Sequence, residues 1–194
     1  MSGLRRAFLA VVPPPTVIRW TESAADSVRA VGDSLRWSRS DQRHLTVKFF
    51  GPVPDAHAVA ESVAESVLRR APFTLTLGGG GAFPNARRAS VLWIGVRQGS
   101  DALADLAAPF VDPGDDRPFH AHLTLARVAR SRTDTPRTDV QRDLRAAVAA
   151  LDACGESEPW TVEEVVLFDS TATTKGSRPG GAVHTAISRF RLAG

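Results

Sequence analysis

The chain has 194 residues, 43% hydrophobic and 23% charged, enough for a sizeable core and too apolar for wholesale disorder. Its formal charge is only +3, with a pI near 9.9, a weak pointer to an anionic partner. The lone cysteine, Cys154, excludes an internal disulfide framework and a multi-cysteine zinc site, and no run approaches the roughly 20 apolar residues of a membrane span.

Leu4 to Val12 reads as a first strand, closed by Pro13-Pro14-Pro15. Its apolar run lacks a small-residue cleavage site, so it is not read as a signal peptide and the protein is expected in the cytoplasm. Ala24, Val28, Val31 and Leu35 predict a helix over 16–35. His44 to Phe50 alternates, with Leu45, Val47 and Phe49 on one face and His44, Thr46 and Lys48 on the other. Val59, Val63 and Val67 mark a helix that starts near Pro54-Asp55.

Two further strands are predicted at Phe73 to Leu77 and Ser90 to Val96. Between them Gly78 to Gly81 reads as a flexible or bulged connection; no Lys-Ser/Thr follows, so it is not a P-loop. Ser100 looks like the cap of a helix carrying Leu103, Leu106, Ala107 and Phe110. Asp112 to Pro118 is a polar turn region, and Phe119 to Val128 a strand. Val140, Leu144, Ala147, Val148 and Leu151 predict a helix that stops near Gly155, with Cys154 as a structural thiol at its end. Trp160 to Phe168 and Ala182 to Phe190 close the chain as strands, and the polar stretch Thr171 to Gly181 between them is expected to be mobile.

A four-residue word occurs twice: His44-Leu45-Thr46-Val47 and His122-Leu123-Thr124-Leu125. Strand, helix and hairpin patterns recur around each copy, which is duplication at half-domain scale. In a strand each word presents an imidazole and a hydroxyl side by side over apolar neighbours. If the halves face each other about an approximate two-fold axis, two His and two Thr line one cleft. That set suits in-line displacement at phosphorus: a neutral imidazole takes a proton, an imidazolium gives one, and the hydroxyls hold non-bridging oxygens. The residues alone are symmetric and do not separate donor from acceptor.

With these words, an ordered set spans nearly the whole chain: Arg6-Ala7-Phe8-Leu9-Ala10-Val11, Leu35-Arg36-Trp37, Lys48-Phe49-Phe50-Gly51, Pro72-Phe73-Thr74-Leu75, Gly81-Ala82-Phe83-Pro84, Val91 to Val96 and Ala126-Arg127. It resembles the bacterial and archaeal RNA 2′,3′-cyclic phosphodiesterases, also called 2′-5′ RNA ligases, of the two-histidine (2H) phosphoesterase superfamily. The resemblance implies an α+β fold (LigT-like), with two pseudo-symmetric lobes of antiparallel sheet and outer helices around a central cleft. It implies one such domain over 1–194, acting on RNA with a 2′,3′-cyclic phosphate end and leaving a 2′-phosphate, without metal or cofactor. Carried onto matching positions, His44 is the proton donor and His122 the proton acceptor, and Thr46 and Thr124 bind phosphate oxygens. Arg127 joins them only if the strand bends or its side chain wraps around the edge, since a regular strand turns it away from His122. Run in reverse, the same groups imply 2′-5′ RNA ligation.

The chain departs from the family in two places. Ala121 stands where the family usually has Pro. There is also no Tyr near Val183-His184, so base stacking falls to Phe8, Phe49, Phe168, His184 or a Trp. His120-x-His122 offers a metal pair without a third ligand at a matching spacing, and His57 is given no role. Lys48 is expected to be solvated. Arg5, Arg6, Arg36, Arg178 and Arg189 are candidates for a basic rim. A monomer is expected, because the repeat supplies both half-sites. Two other readings stay open: the same chemistry on a small cyclic phosphate (a nucleotide or an ADP-ribose derivative), and an RNA-end binding module without turnover.

Overall fold

The structure, a computed structural model, describes residues 3–29, 35–128, 143–172 and 182–193. The first strand, β1 (Leu4–Val11), buries Ala7 to Val11 in an unbroken run rather than alternating: it lies between β3 (Leu45–Val53) and β8 (Glu164–Ala172), with Ala7, Leu9 and Val11 in the core and Phe8 packed against the rings of His44 and Phe168. Helix α1 (Pro15–Arg29) follows, with Pro15 tolerated in the first turn and Val17, Thr21, Ala24, Ala25 and Val28 on its buried stripe. The helix does not reach Leu35: Leu35 opens β2 (Leu35–Trp37) and pairs with Val128. Strand pairing outranks a coincidental helical spacing there, and Val31 lies outside the described residues.

Helix α2 (Ala56–Val67) is capped by Asp55, whose side chain accepts from the amides of His57 and Ala58. The glycine run is not a connection but the interior of β4 (Phe73–Phe83), which pairs with β5 (Val91–Gln98) through a bulge between Leu77 and Gly80. A Cβ at Gly80 would lie 2.6 Å from the Val148 carbonyl oxygen, and one at Gly81 would lie 2.0 Å from the Trp93 ring. Glycine therefore lets a helix and an indole seat directly on the strand.

Helix α3 (Ser100–Ala107) starts at Ser100, so Ser100 is not its cap; Gly99, at φ 82°, holds that position without a side-chain bond. Strand β6 is His122–Val128, and helix α4 spans Arg145–Ala153. The run Trp160 to Phe168 divides into β7 (Trp160–Val162) and the start of β8, and β9 is Ala182–Arg191. Of the Thr171 to Gly181 stretch expected to be mobile, Thr171 and Ala172 are the paired end of β8; the rest of it, Arg178 included, and Val140 lie outside the described residues.

All pairings are antiparallel, in the order β7-β4-β5-β6-β3-β1-β8-β9, with β2 added to β6. The fold is α+β. The halves β7-β4-β5-β6 and β3-β1-β8-β9 meet at one seam, where Leu45 partners Leu123. No helix among the described residues is long and apolar enough to cross a membrane. Because α4 backbone stands over Gly80, Gly80→Ala is expected to lower stability by about 1–3 kcal/mol, the range for overpacking, read as a reduced urea midpoint at unchanged m.

Candidate active site

The seam builds the site. With Leu45 opposite Leu123, the antiparallel register sets His44 beside Thr124 and Thr46 beside His122. All four line one cavity of about 490 Å³ between the two halves. Each word then ends in the same one-residue bulge. On β3, Ala10 partners Thr46 and Leu9 partners Lys48, which skips Val47. On β6, Trp93 partners Thr124 and Leu92 partners Ala126, which skips Leu125.

A bulge reverses the face presented by every later residue. Arg127 thus turns into the cavity beside His122 and Thr124, meeting the bend that strand alternation alone forbids. The equivalent turn on β3 takes Lys48 off the face of His44 and Thr46, so the shared face expected for it is not seen. Its ammonium instead reaches Asp112 at 2.6 Å. Phe49, in the place equivalent to Arg127, is 51% exposed with the Arg6 guanidinium 5.8 Å from its ring centre.

Both imidazoles are fixed in the same way. His44 Nδ1 lies 2.7 Å from the Gln42 carbonyl oxygen, and His122 Nδ1 lies 2.7 Å from that of His120. A carbonyl only accepts, so each Nδ1 carries the proton and donates it, leaving Nε2 across the ring as the nitrogen for the cavity. Aromatic rings brace both. Phe8 stacks on His44 at 4.8 Å, and His184 stands edge-on to it at 5.4 Å. Phe83 stands edge-on to His122 at 4.9 Å.

This packing has an electrostatic consequence. Burial pushes the His44 pKa down to about 4; the Gln42 carbonyl opposes the shift, and His184, His122 and Arg127 add to it. Burial also lowers the His122 pKa, against the His120 carbonyl, with His120 and Arg127 adding to the fall.

Of the proposed basic rim, Arg6 and Arg36 line the cavity; Arg5 and Arg189 do not, and Arg189 pairs with Glu164. Of the stacking candidates, His184 lines the cavity, as does Trp37, while Phe8 lies buried beneath His44. Sequence reasoning missed Ser38, Gln42 and Ser170 in the lining. Of these, only Gln42 carried a signal: like His120, it stands two residues before a histidine of the repeated word. Among the described residues no group of three or more His, Cys, Asp or Glu is arranged to hold a metal. His57 is exposed, with Glu61 3.1 Å away.

A family model for the 2′-5′ RNA ligase superfamily matches residues 13–174. The chain belongs to that superfamily. It is 29% identical to the RNA 2′,3′-cyclic phosphodiesterase of Methanothermobacter thermautotrophicus over 96% of this chain and 98% of that one. It is 31% identical to the Escherichia coli RNA 2′,3′-cyclic phosphodiesterase, over 70% and 79% of the two chains. Among solved structures, TT0787 of Thermus thermophilus superposes with a TM-score of 0.73 at 26% identity, covering 97% of this chain and 98% of that chain. Apo E. coli LigT gives a TM-score of 0.69 at 26% identity, covering all of both chains. The superfamily's LigT-like fold is the one described above.

The histidine packing is testable without substrate. In ¹⁵N NMR, His44 and His122 are expected in the Nδ1–H tautomer at neutral pH, with His44 titrating near 4. Since the folded pKa of His44 lies below its ordinary 6.5, stability is full above 6.5 and falls as pH drops towards 4. A variant with His44→Asn should show a shallower fall over that window than the unmodified chain.

Proposed function

We propose that this protein opens the 2′,3′-cyclic phosphate at an RNA 3′ end, without metal, to leave a 2′-phosphate. The observation that carries this reading is the pair of buried imidazoles, each held by its Nδ1–H with Nε2 left for one shared cavity. The names of the relatives, RNA 2′,3′-cyclic phosphodiesterases at 28–31% identity, support the substrate class. The working unit is one two-lobed domain over 1–194, and a monomer suffices because both half-sites lie in one chain.

In this reading His122 Nε2 takes a proton from water as its oxygen bonds to phosphorus. His44, as imidazolium, gives its Nε2 proton to the departing 3′ oxygen, so the P–O3′ bond breaks and the P–O2′ bond stays. The hydroxyls of Thr46 and Thr124 donate to non-bridging oxygens, and the Arg127 guanidinium meets the charge that builds there. The more strongly depressed His44 is the stronger acid of the two and the better donor. In the empty site the shared proton goes first to His122; the phosphate's negative charge makes the His44 cation accessible when substrate binds. With a 5′-hydroxyl in place of water, the same transfers produce a 2′-5′ linkage.

The test is turnover of an oligoribonucleotide ending in a 2′,3′-cyclic phosphate, in excess chelator. His44→Ala and His122→Ala are each expected to reduce kcat by roughly 10²–10⁴-fold with little change in Tm. Retained turnover in either variant, or loss of wild-type turnover in chelator, contradicts the reading. Both histidines titrate below their ordinary range, so kcat/KM should follow a bell whose centre lies below pH 6.5. A centre above neutrality contradicts the paired-imidazole mechanism.

A further inference from the structure

Three arginines enter the cavity from three strands: Arg6 from β1, Arg36 from β2 and Arg127 from β6. Arg36 and Arg127 are direct strand partners, and Arg6 comes from the other half of the sheet. After burial, the charges of Arg36 and then Arg6 are what lower the Arg127 pKa. Among the described residues no carboxylate pairs with the side chain of any of the three, whereas Arg29, Arg39, Arg117, Arg145 and Arg189 each contact an Asp or Glu. Among the described residues no Asp or Glu lines the cavity.

Like charges gathered without a counter-charge repel until an anion joins them. The scissile phosphate is one such anion, but Thr46, Thr124, the imidazole pair and Arg127 already surround it. Arg6 and Arg36 are left over. The cavity, at about 490 Å³, falls in the roughly 300–1,000 Å³ range of pockets that enclose a whole organic ligand rather than an ion.

Resting on the phosphodiesterase reading above, we propose that Arg6 and Arg36 form a second phosphate subsite in this cavity. It takes the phosphate on the 5′ side of the nucleoside that bears the cyclic phosphate. The catalytic groups then see one phosphate and the two guanidiniums another, with the ribose between them. The cyclic phosphate alone is an incomplete ligand for such a site.

The test compares three substrates: a nucleoside 2′,3′-cyclic phosphate with a free 5′-hydroxyl, the same compound with a 5′-phosphate, and a dinucleotide whose 3′ end carries the cyclic phosphate. A second phosphate should raise wild-type kcat/KM by about 10-fold or more, the value of one charge-assisted contact. Arg6→Gln and Arg36→Gln should remove that gain, flatten its salt dependence, and leave the 5′-hydroxyl substrate within about threefold, which also reports intact folding. A gain from the 5′-phosphate alone supports the subsite and names a small nucleotide as sufficient. A gain confined to the dinucleotide supports it and names an RNA phosphodiester. Equal efficiency on all three, or an equal loss on all three in the variants, overturns it. If the wild type turns over none, the phosphodiesterase reading fails by itself, and the subsite is then judged by binding of a labelled dinucleotide 2′-phosphate. Binding weakened about 10-fold in Arg36→Gln supports it; unchanged binding overturns it.

Discussion

The pairing of Leu45 with Leu123 is the contact on which the cleft depends. Both leucines are fully buried, and each sits between a histidine and a threonine. One matched pair in an antiparallel seam sets the relation of every neighbour. Here it lays two His-x-Thr words head to tail, so that each imidazole faces the other word's hydroxyl. A slip of one residue would bury the histidines and expose the leucines. The core thus enforces the geometry of the polar face without any polar residue specifying it.

On this symmetric frame the site's surroundings are asymmetric. The two bulges fall at the same place in each word, yet one turns Arg127 into the cavity and the other leaves Phe49 exposed beside Arg6. The two rings also differ in surroundings: His44 contacts a stacked phenyl ring and an edge-on third imidazole, and His122 an edge-on phenyl ring and a tilted indole. Unequal burial separates two groups of one type into a stronger acid and a stronger base, the division that proton transfer in opposite directions requires. The same burial opposes charging either ring, so in the proposed reaction the bound phosphate helps to make the acid of the pair.

Much of this was legible in the residues. The alternation of His44 to Val47 and its echo 78 positions later, at His122, announced the two central strands and the face that each histidine shares with its threonine. The bulges were not legible, because Val47 and Leu125 look like ordinary inward residues. For that reason the sequence pattern puts Lys48 on the wrong face, and it could bring Arg127 to the site only conditionally. The glycine run misled for a related reason. Gly80 and Gly81 look like a break, but they mark where α4 and Trp93 press on a continuous strand, information held by distant segments. Leu35 fitted a helical stripe until the edge of β6 claimed it. Arg43, buried and donating to Thr21 Oγ1 at 2.8 Å, ties α1 to the segment entering β3; nothing in its local pattern separates it from a surface arginine.

The central claim is that both imidazoles serve one phosphorus centre. It is tested most directly by a crystal structure of the protein with vanadate bound in the cavity. The account predicts one vanadate, with Nε2 of His44 and Nε2 of His122 each about 2.6–3.2 Å from its oxygens, the reach of a hydrogen bond, on opposite sides of the metal centre. A vanadate held by the arginines alone, or touching one imidazole while the other points elsewhere, would contradict it.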